Sequence, residues 1–170
     1  EYRNVGLIVQ MAYEWCQRLG DMRTLQWENI DLATRVLTLE QSKRRADVSL
    51  PISDELVTML NEQRKDFGFQ EYVVPHPNPT MGKYEPYAME RLSKVGRRVM
   101  RLAGLPEELR LMDLRRTGVT QMIDSGVPMG QLMSVTGHNN VSSVKPYMKH
   151  TYDSANNALT QRNIRVQSST

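Results

Sequence analysis

The chain has one cysteine, Cys16, in 170 residues. A single thiol allows no internal disulfide, which suits a reducing compartment. Its place in an apolar helical run predicts a buried, inert side chain. No apolar run approaches the roughly 18 residues of a membrane span, so no membrane association is expected. No secretory signal precedes the first predicted helix. Paired carboxylates at convergent positions are missing, which argues against a Mg²⁺ site. No glycine-rich phosphate loop occurs, so no nucleotide cofactor is implied. His76 lies in the loop 75–79 (Pro-His-Pro-Asn-Pro) with no metal-ligand spacing nearby and is expected at the surface. Internal repeats and low-complexity segments are absent as well.

What is present fits one globular domain. Apolar residues make up 39% of the chain, and with 10 glycines the total nears the globular norm. The net charge is +3 and the pI about 9.1. That balance fits a nucleic-acid partner without requiring one. The placement of the charge says more. Lys43, Arg44 and Arg45 cluster, as do Arg97, Arg98 and Arg101, and Arg115 with Arg116.

In chain order, Val5, Ile8, Val9, Met11, Ala12, Trp15 and Cys16 predict a helix over 4–18, ended by Arg18 and broken at Gly20. Asp21 opens a short second helix, with Met22, Leu25 and Trp27 inward. Alternation over 36–39 and 48–52 predicts a hairpin whose long loop is polar and basic. Ser53 caps the next helix, with Asp54 and Glu55 in its first turn and Leu56, Met59 and Leu60 inward. A short strand is predicted at 72–74. A longer helix over 86–103 sets Met89, Leu92, Val95, Val99, Met100 and Leu102 on one side and Lys94, Arg97, Arg98 and Arg101 on another. That basic side is either a solvated face or a surface for a DNA backbone. Residues 153–162 predict a last helix with Ala155, Ala158 and Leu159 inward, followed by a polar tail. The fold class is therefore mainly α with a small antiparallel β-hairpin or three-stranded sheet.

The stretch 113–147 concentrates the chemistry. Two apolar-patterned helices, 117–125 and 129–135, are separated by Ser125-Gly126-Val127-Pro128. Asp113 is the expected cap of the first, and Leu114, Val119 and Met122 its inward residues. Around these helices stand Arg115, Arg116, the pair Gly137-His138 and, nine positions after the histidine, Tyr147. Asn139 to Ser143 form a turn, and Ser142 or Ser143 caps a final short helix, with Pro146 tolerated in its first turn and Tyr147 early on it. A guanidinium grips phosphate oxygens through two parallel hydrogen bonds, and a phenol is a competent nucleophile. A phosphodiester is the natural guest. Arg115 and Arg116 face about 100° apart on a helix, so Arg115 reaches such a site while Arg116 points elsewhere. Read singly, Arg18 is equally a cation at a helix C-terminus, Lys43 a solvated loop lysine and Tyr147 a packed tyrosine.

Taken together these motifs resemble the catalytic domain of tyrosine recombinases, the phage integrase family. Arg18-Leu19-Gly20-Asp21 resembles the first-arginine motif, and Lys43 within Gln41-Ser42-Lys43-Arg44-Arg45 the hairpin lysine. Asp113-Leu114-Arg115-Arg116-Thr117 resembles the second-arginine box, and Gly137-His138 with Tyr147 the C-terminal signature. The likeness covers about residues 5–160. It departs at Met112, where the family's box carries histidine. His150 is the nearby imidazole that could substitute.

The resemblance implies a catalytic set of Arg18, Lys43, Arg115, His138 and Tyr147, with Arg44, Arg45, Arg97, Arg98 and Arg116 on the DNA backbone. Asp21 is implied as a brace of the local turn. It further implies double-stranded DNA at a recombination site as partner, a homotetramer on that DNA, no cofactor, and a cytoplasmic location in a bacterial or phage-infected cell. Residues 1–170 would be one catalytic domain lacking an N-terminal DNA-binding domain, with 151–170 either exchanged between subunits or frayed. Two other functions fit the same residues. One is a DNA-binding domain whose cleavage is impaired by Met112; the other is type IB topoisomerase-like nicking and resealing. A non-enzymatic helical interaction module would lack salt-dependent DNA binding.

Overall fold

Helix α1 (Tyr2–Glu14) is the pillar of the fold in this computed structural model, which describes residues 1–43, 45–148 and 152–167. Val5, Leu7, Ile8, Met11 and Ala12 recur at helical spacing and are all buried. The helix ends earlier than its apolar pattern suggests. Cys16 takes a left-handed conformation, φ 52°. The Gln17 N–H returns to the Ala12 carbonyl and the Cys16 N–H to Tyr13, which is a Schellman ending with cysteine where glycine is usual. Gly20 therefore does not break α1. It lies inside α2 (Leu19–Arg23), and Arg18 is the N-cap residue of that helix.

A 3₁₀ turn (Trp27–Asn29) leads to an antiparallel sheet of order β1-β2-β3: β1 (Ile30–Asp31), β2 (Val36–Glu40) and β3 (Asp47–Pro51). Leu37 pairs with Leu50 and Leu39 with Val48. Period-2 alternation buries these four and turns Thr38 and Ser49 outward. Helix α3 (Asp54–Phe67) begins as predicted, the Ser53 hydroxyl accepting from the Leu56 N–H at 3.2 Å. Leu56 and Leu60 are its core residues.

The strand predicted at 72–74 is reduced to one bridge between Gln26 and Tyr72. Side chains take over the ladder's role there: Gln63 donates to the Val73 carbonyl and Gln70 binds both main-chain groups of Tyr72. Helix α4 (Met89–Leu102) buries Leu92, Val95 and Gly96. Met89 and Leu102, read on the apolar side of the helix, are exposed.

Helices α5 (Asp113–Asp124) and α6 (Met129–Thr136) form a smaller lobe. Cys16, Val119, Leu132 and Val144 are its buried centre, lined by Met122, Met129 and Met133. Met112, not Asp113, occupies the N-cap position of α5. Asp113 instead accepts from the Arg110 N–H at 3.3 Å. Two 3₁₀ turns follow, Val141–Ser143 and Lys145–Tyr147. The Asn140 side chain caps the first, where a serine cap was expected. Helix α7 (Tyr152–Gln167) ends the described chain. It is longer than predicted, and its residues from Ala155 on are exposed, Leu159 at 54% included. Among the described residues no helix is long and apolar enough to cross a membrane.

Candidate active site and nucleic-acid interface

The C-terminal residue of α6, Thr136, is the point on which separate parts of the chain converge. Its carbonyl accepts from Arg115 Nη2 at 2.7 Å and from Gln41 Nε2 at 2.9 Å. Gln41 Oε1 in turn accepts from Arg18 Nη1 at 3.4 Å. His138 Nδ1 lies 2.6 Å from the Thr136 hydroxyl. The His138 and Tyr147 rings are 6.4 Å apart between centroids. Arg18, Arg115, His138 and Tyr147, from four places in the chain, thus form one cluster. Arg115 and His138 are buried in it, and Arg18 and Tyr147 are partly exposed.

Local sequence explains each placement. Gly118, one turn after Arg115, lets α5 lie flush on the end of α1. A Cβ there would stand 2.4 Å from Cys16 Sγ, so a larger residue would push Arg115 away. Gly137 ends α6 at φ 68°, and a Cβ there would meet Gln41 Oε1 at 2.6 Å. Glycine is needed twice over, for the left-handed turn and for the close approach of the glutamine. Tyr147 closes the turn begun by Lys145 and Pro146, its N–H bound to the carbonyl of the buried Val144 at 2.9 Å.

Lys43 is exposed in the hairpin turn and is tied to the cluster through its neighbour. The Ser42 N–H and hydroxyl both donate to Asp21 Oδ1, and Asp21 Oδ2 is 3.8 Å from Arg18 Nη1. Asp21 therefore braces the arginine and the lysine loop together. Arg45 is exposed beside it with φ 48°. Arg44 and His150 lie outside the described residues.

Arg116 sits differently from the expectation that it points away from the site. Its guanidinium lies 5.9 Å over the Tyr147 ring, a cation–π distance. Arg97, Arg98 and Arg101 are exposed on α4. Arg98 stacks on Tyr2 at 5.9 Å. Arg97 and Arg101 line an open groove of about 540 Å³ with Arg110, Leu19 and Met112. Leu19, the residue after Arg18 in the chain, is part of its wall. Met112 is 76% exposed there.

Gln41, Thr136 and Arg110 escaped the sequence reading. Gln41 was legible: it extends the inward phase of Leu37 and Leu39. Arg110 falls in an aperiodic loop, and the Thr136 carbonyl is a tertiary contact, so neither leaves a pattern. Burial pushes the Cys16 thiol above its ordinary range, against the opposite pull of Arg115. It stays protonated near neutral pH, as the inert reading expects.

Comparison with known proteins gives the family and the fold. The sequence pattern of the phage integrase family matches residues 2–154. An integrase/recombinase of Sinorhizobium fredii is 26% identical over 148 residues, 84% of this chain and 74% of that protein. The integrase of Salmonella phage P22 is 23% identical over 146 residues, 82% of this chain and 38% of its own length. Among solved structures, the Tn1549 transposon integrase in complex with transposon right end DNA superposes with a TM-score of 0.73 at 16% identity, over 95% of this chain and 60% of that one. The XerA recombinase gives 0.66 at 15% identity, over 94% and 61%. The chain thus spans less than two thirds of the phage integrase and of both solved proteins. Their shared fold is the mainly helical one with a small three-stranded sheet described above. With that fold in place and the family's pattern matched along nearly the whole chain, this protein belongs to the phage integrase family.

Proposed function

We propose that the chain is the catalytic domain of a site-specific DNA recombinase that cleaves and rejoins DNA through a 3′-phosphotyrosyl intermediate. The observation that carries this is the convergence of Arg18, Arg115, His138 and Tyr147 on the end of α6. Charge builds on the nonbridging oxygens as a phosphodiester is cleaved, and fixed cations aimed at them lower the barrier. Arg18 and Arg115 supply those cations, and His138 supports the same phosphate by hydrogen bonding. Tyr147 Oη attacks phosphorus, and its proton passes to the neutral imidazole of His138. The bond to the 5′-oxygen breaks, and Lys43 gives that oxygen a proton. A 5′-hydroxyl of a second strand reverses the step. The energy of the phosphodiester is kept in the phosphotyrosine, so the cycle consumes no nucleotide.

Double-stranded DNA lies along the α4 groove, with Arg97, Arg98 and Arg101 on its backbone and the hairpin cations Lys43, Arg44 and Arg45 on the adjacent turn. The working unit is a homotetramer on DNA; a lambda integrase tetramer bound to a Holliday junction has this fold, with a TM-score of 0.65. Helix α7, with Leu159, Ile164 and Val166 exposed, docks on the neighbouring subunit.

Met112 favours one second reading, a domain that binds DNA and cleaves weakly. A thioether at that position makes no strong hydrogen bond, and loss of one transition-state donor costs on the order of 10²- to 10³-fold in rate. Strand exchange between two DNA copies of the native site, with Tyr147→Phe as control, separates the readings. Recombinant joints that need Tyr147 support the proposal. Supercoil relaxation without joints marks a topoisomerase-like activity, and salt-dependent binding with neither marks a binding domain.

A further inference from the structure

We propose that the Thr136 hydroxyl is a positioning group that holds His138 in the tautomer with hydrogen on Nδ1. Thr136 is fully buried, and its hydroxyl has two neighbours. The Leu132 carbonyl lies at 3.0 Å and His138 Nδ1 at 2.6 Å. A hydroxyl has one hydrogen and a carbonyl can only accept. The hydrogen therefore goes to Leu132, and a lone pair of Thr136 faces the ring. Two acceptors at 2.6 Å would repel, so Nδ1 carries the hydrogen. A neutral imidazole has only one N–H. Nε2 then carries no hydrogen in the neutral ring, so it can take the proton that Tyr147 gives up, and the imidazolium so formed donates to a phosphate oxygen.

The same residue governs the arginine through a different atom. Arg115 and Gln41 bind the Thr136 carbonyl, which no side-chain substitution removes. Thr136→Val therefore deletes the hydroxyl at nearly constant shape and leaves the arginine's anchor in place. The tautomer rests on the two contacts of the Thr136 hydroxyl; its effect on cleavage rests on the function proposed above.

The test is ¹⁵N NMR of the histidine-labelled protein, with His138 assigned from its loss in His138→Gln, together with single-turnover cleavage at saturating DNA. The wild type and Thr136→Ser should show the Nδ1–H tautomer. Thr136→Val should move His138 to Nε2–H and slow cleavage about five- to tenfold, the worth of one hydrogen bond, with DNA affinity unchanged and Thr136→Ser at wild-type rate. Thr136→Ala serves as a second hydroxyl-free variant if Thr136→Val fails to fold. A wild-type Nε2–H tautomer, or a hydroxyl-free variant that keeps the wild-type tautomer, overturns the assignment. A shifted tautomer with unchanged cleavage overturns the positioning role. If the wild type cleaves no DNA, the proposed function fails and the spectra still decide the tautomer.

Discussion

The body around α1 and the lobe of α5 and α6 differ in size and in their share of methionine. In the body, branched and aromatic residues such as Val5, Ile8, Leu37, Leu56 and Tyr87 interlock around a helix and a sheet, with Met11 and Met22 among them. The lobe has a small buried centre of Cys16, Val119, Leu132 and Val144, filled out by Met122, Met129 and Met133 together with Ile123, Val127, Val135 and Tyr147, and methionine adapts its shape at little cost. Leu114 and Val135 pack on the body across the seam, and hydrogen bonds cross it too: Gln17 donates to the Val135 carbonyl, and Gln41 to that of Thr136. Hydrophobic burial is not directional, whereas hydrogen bonds fix angles. Packing sets the shape of the body, and hydrogen bonds at the seam align Arg115 and Gln41 with the end of α6.

Substitutions that separate shape from alignment sharpen this contrast. Arg115→Ala, at the seam, should slow cleavage on the order of 10²- to 10³-fold, read by single-turnover kinetics on saturating DNA. A loss below tenfold would remove Arg115 from the site. Leu37→Ala, in the middle of the sheet, should lower unfolding free energy by about 2–5 kcal/mol in a denaturant titration. Its cleavage rate per folded molecule should not change; a matching fall in rate would mean that the body also sets alignment.

Alkali probes the body when the wild type is compared with Tyr87→Phe. Burial pushes the Tyr87 phenol up to about 12, partly offset by the nearby Asn4 side chain. A raised folded value gives stability that is complete below pH 10 and is lost as pH rises through 12. Wild-type stability should drop by up to about 2 kcal/mol more than that of Tyr87→Phe across this window, and parallel curves would refute the coupling. The smallest effect expected is from Met112→His. It should raise cleavage a few-fold, because the side chain is exposed at the N-cap of α5; an unchanged or lower rate would show that the methionine is no handicap.

Helix and hairpin positions were legible because burial imposes periods of 3.6 and 2 on the chain. The motif residues were legible because their spacing is characteristic. The early end of α1 was not: a cysteine in left-handed geometry costs roughly 1 kcal/mol and is held by tertiary packing against Gly118 that no local pattern announces. The position of Arg116 over Tyr147 was misread for a related reason. Helical phase separates Arg115 from Arg116 but says nothing of a later turn folding back to meet the second arginine. In α7, Leu159, Ile164 and Val166 read as inward-facing or tail residues, yet within one chain they meet solvent.

The account stands or falls on Tyr147 as a nucleophile toward phosphorus. The direct measurement uses the full-length protein and a nicked suicide substrate carrying its own recombination site, which traps the intermediate by releasing the 5′-fragment. The account predicts a covalent protein–DNA band whose peptide map places the nucleotide on Tyr147 and which Tyr147→Phe abolishes. DNA bound without a covalent band, or a band that survives Tyr147→Phe, would contradict it.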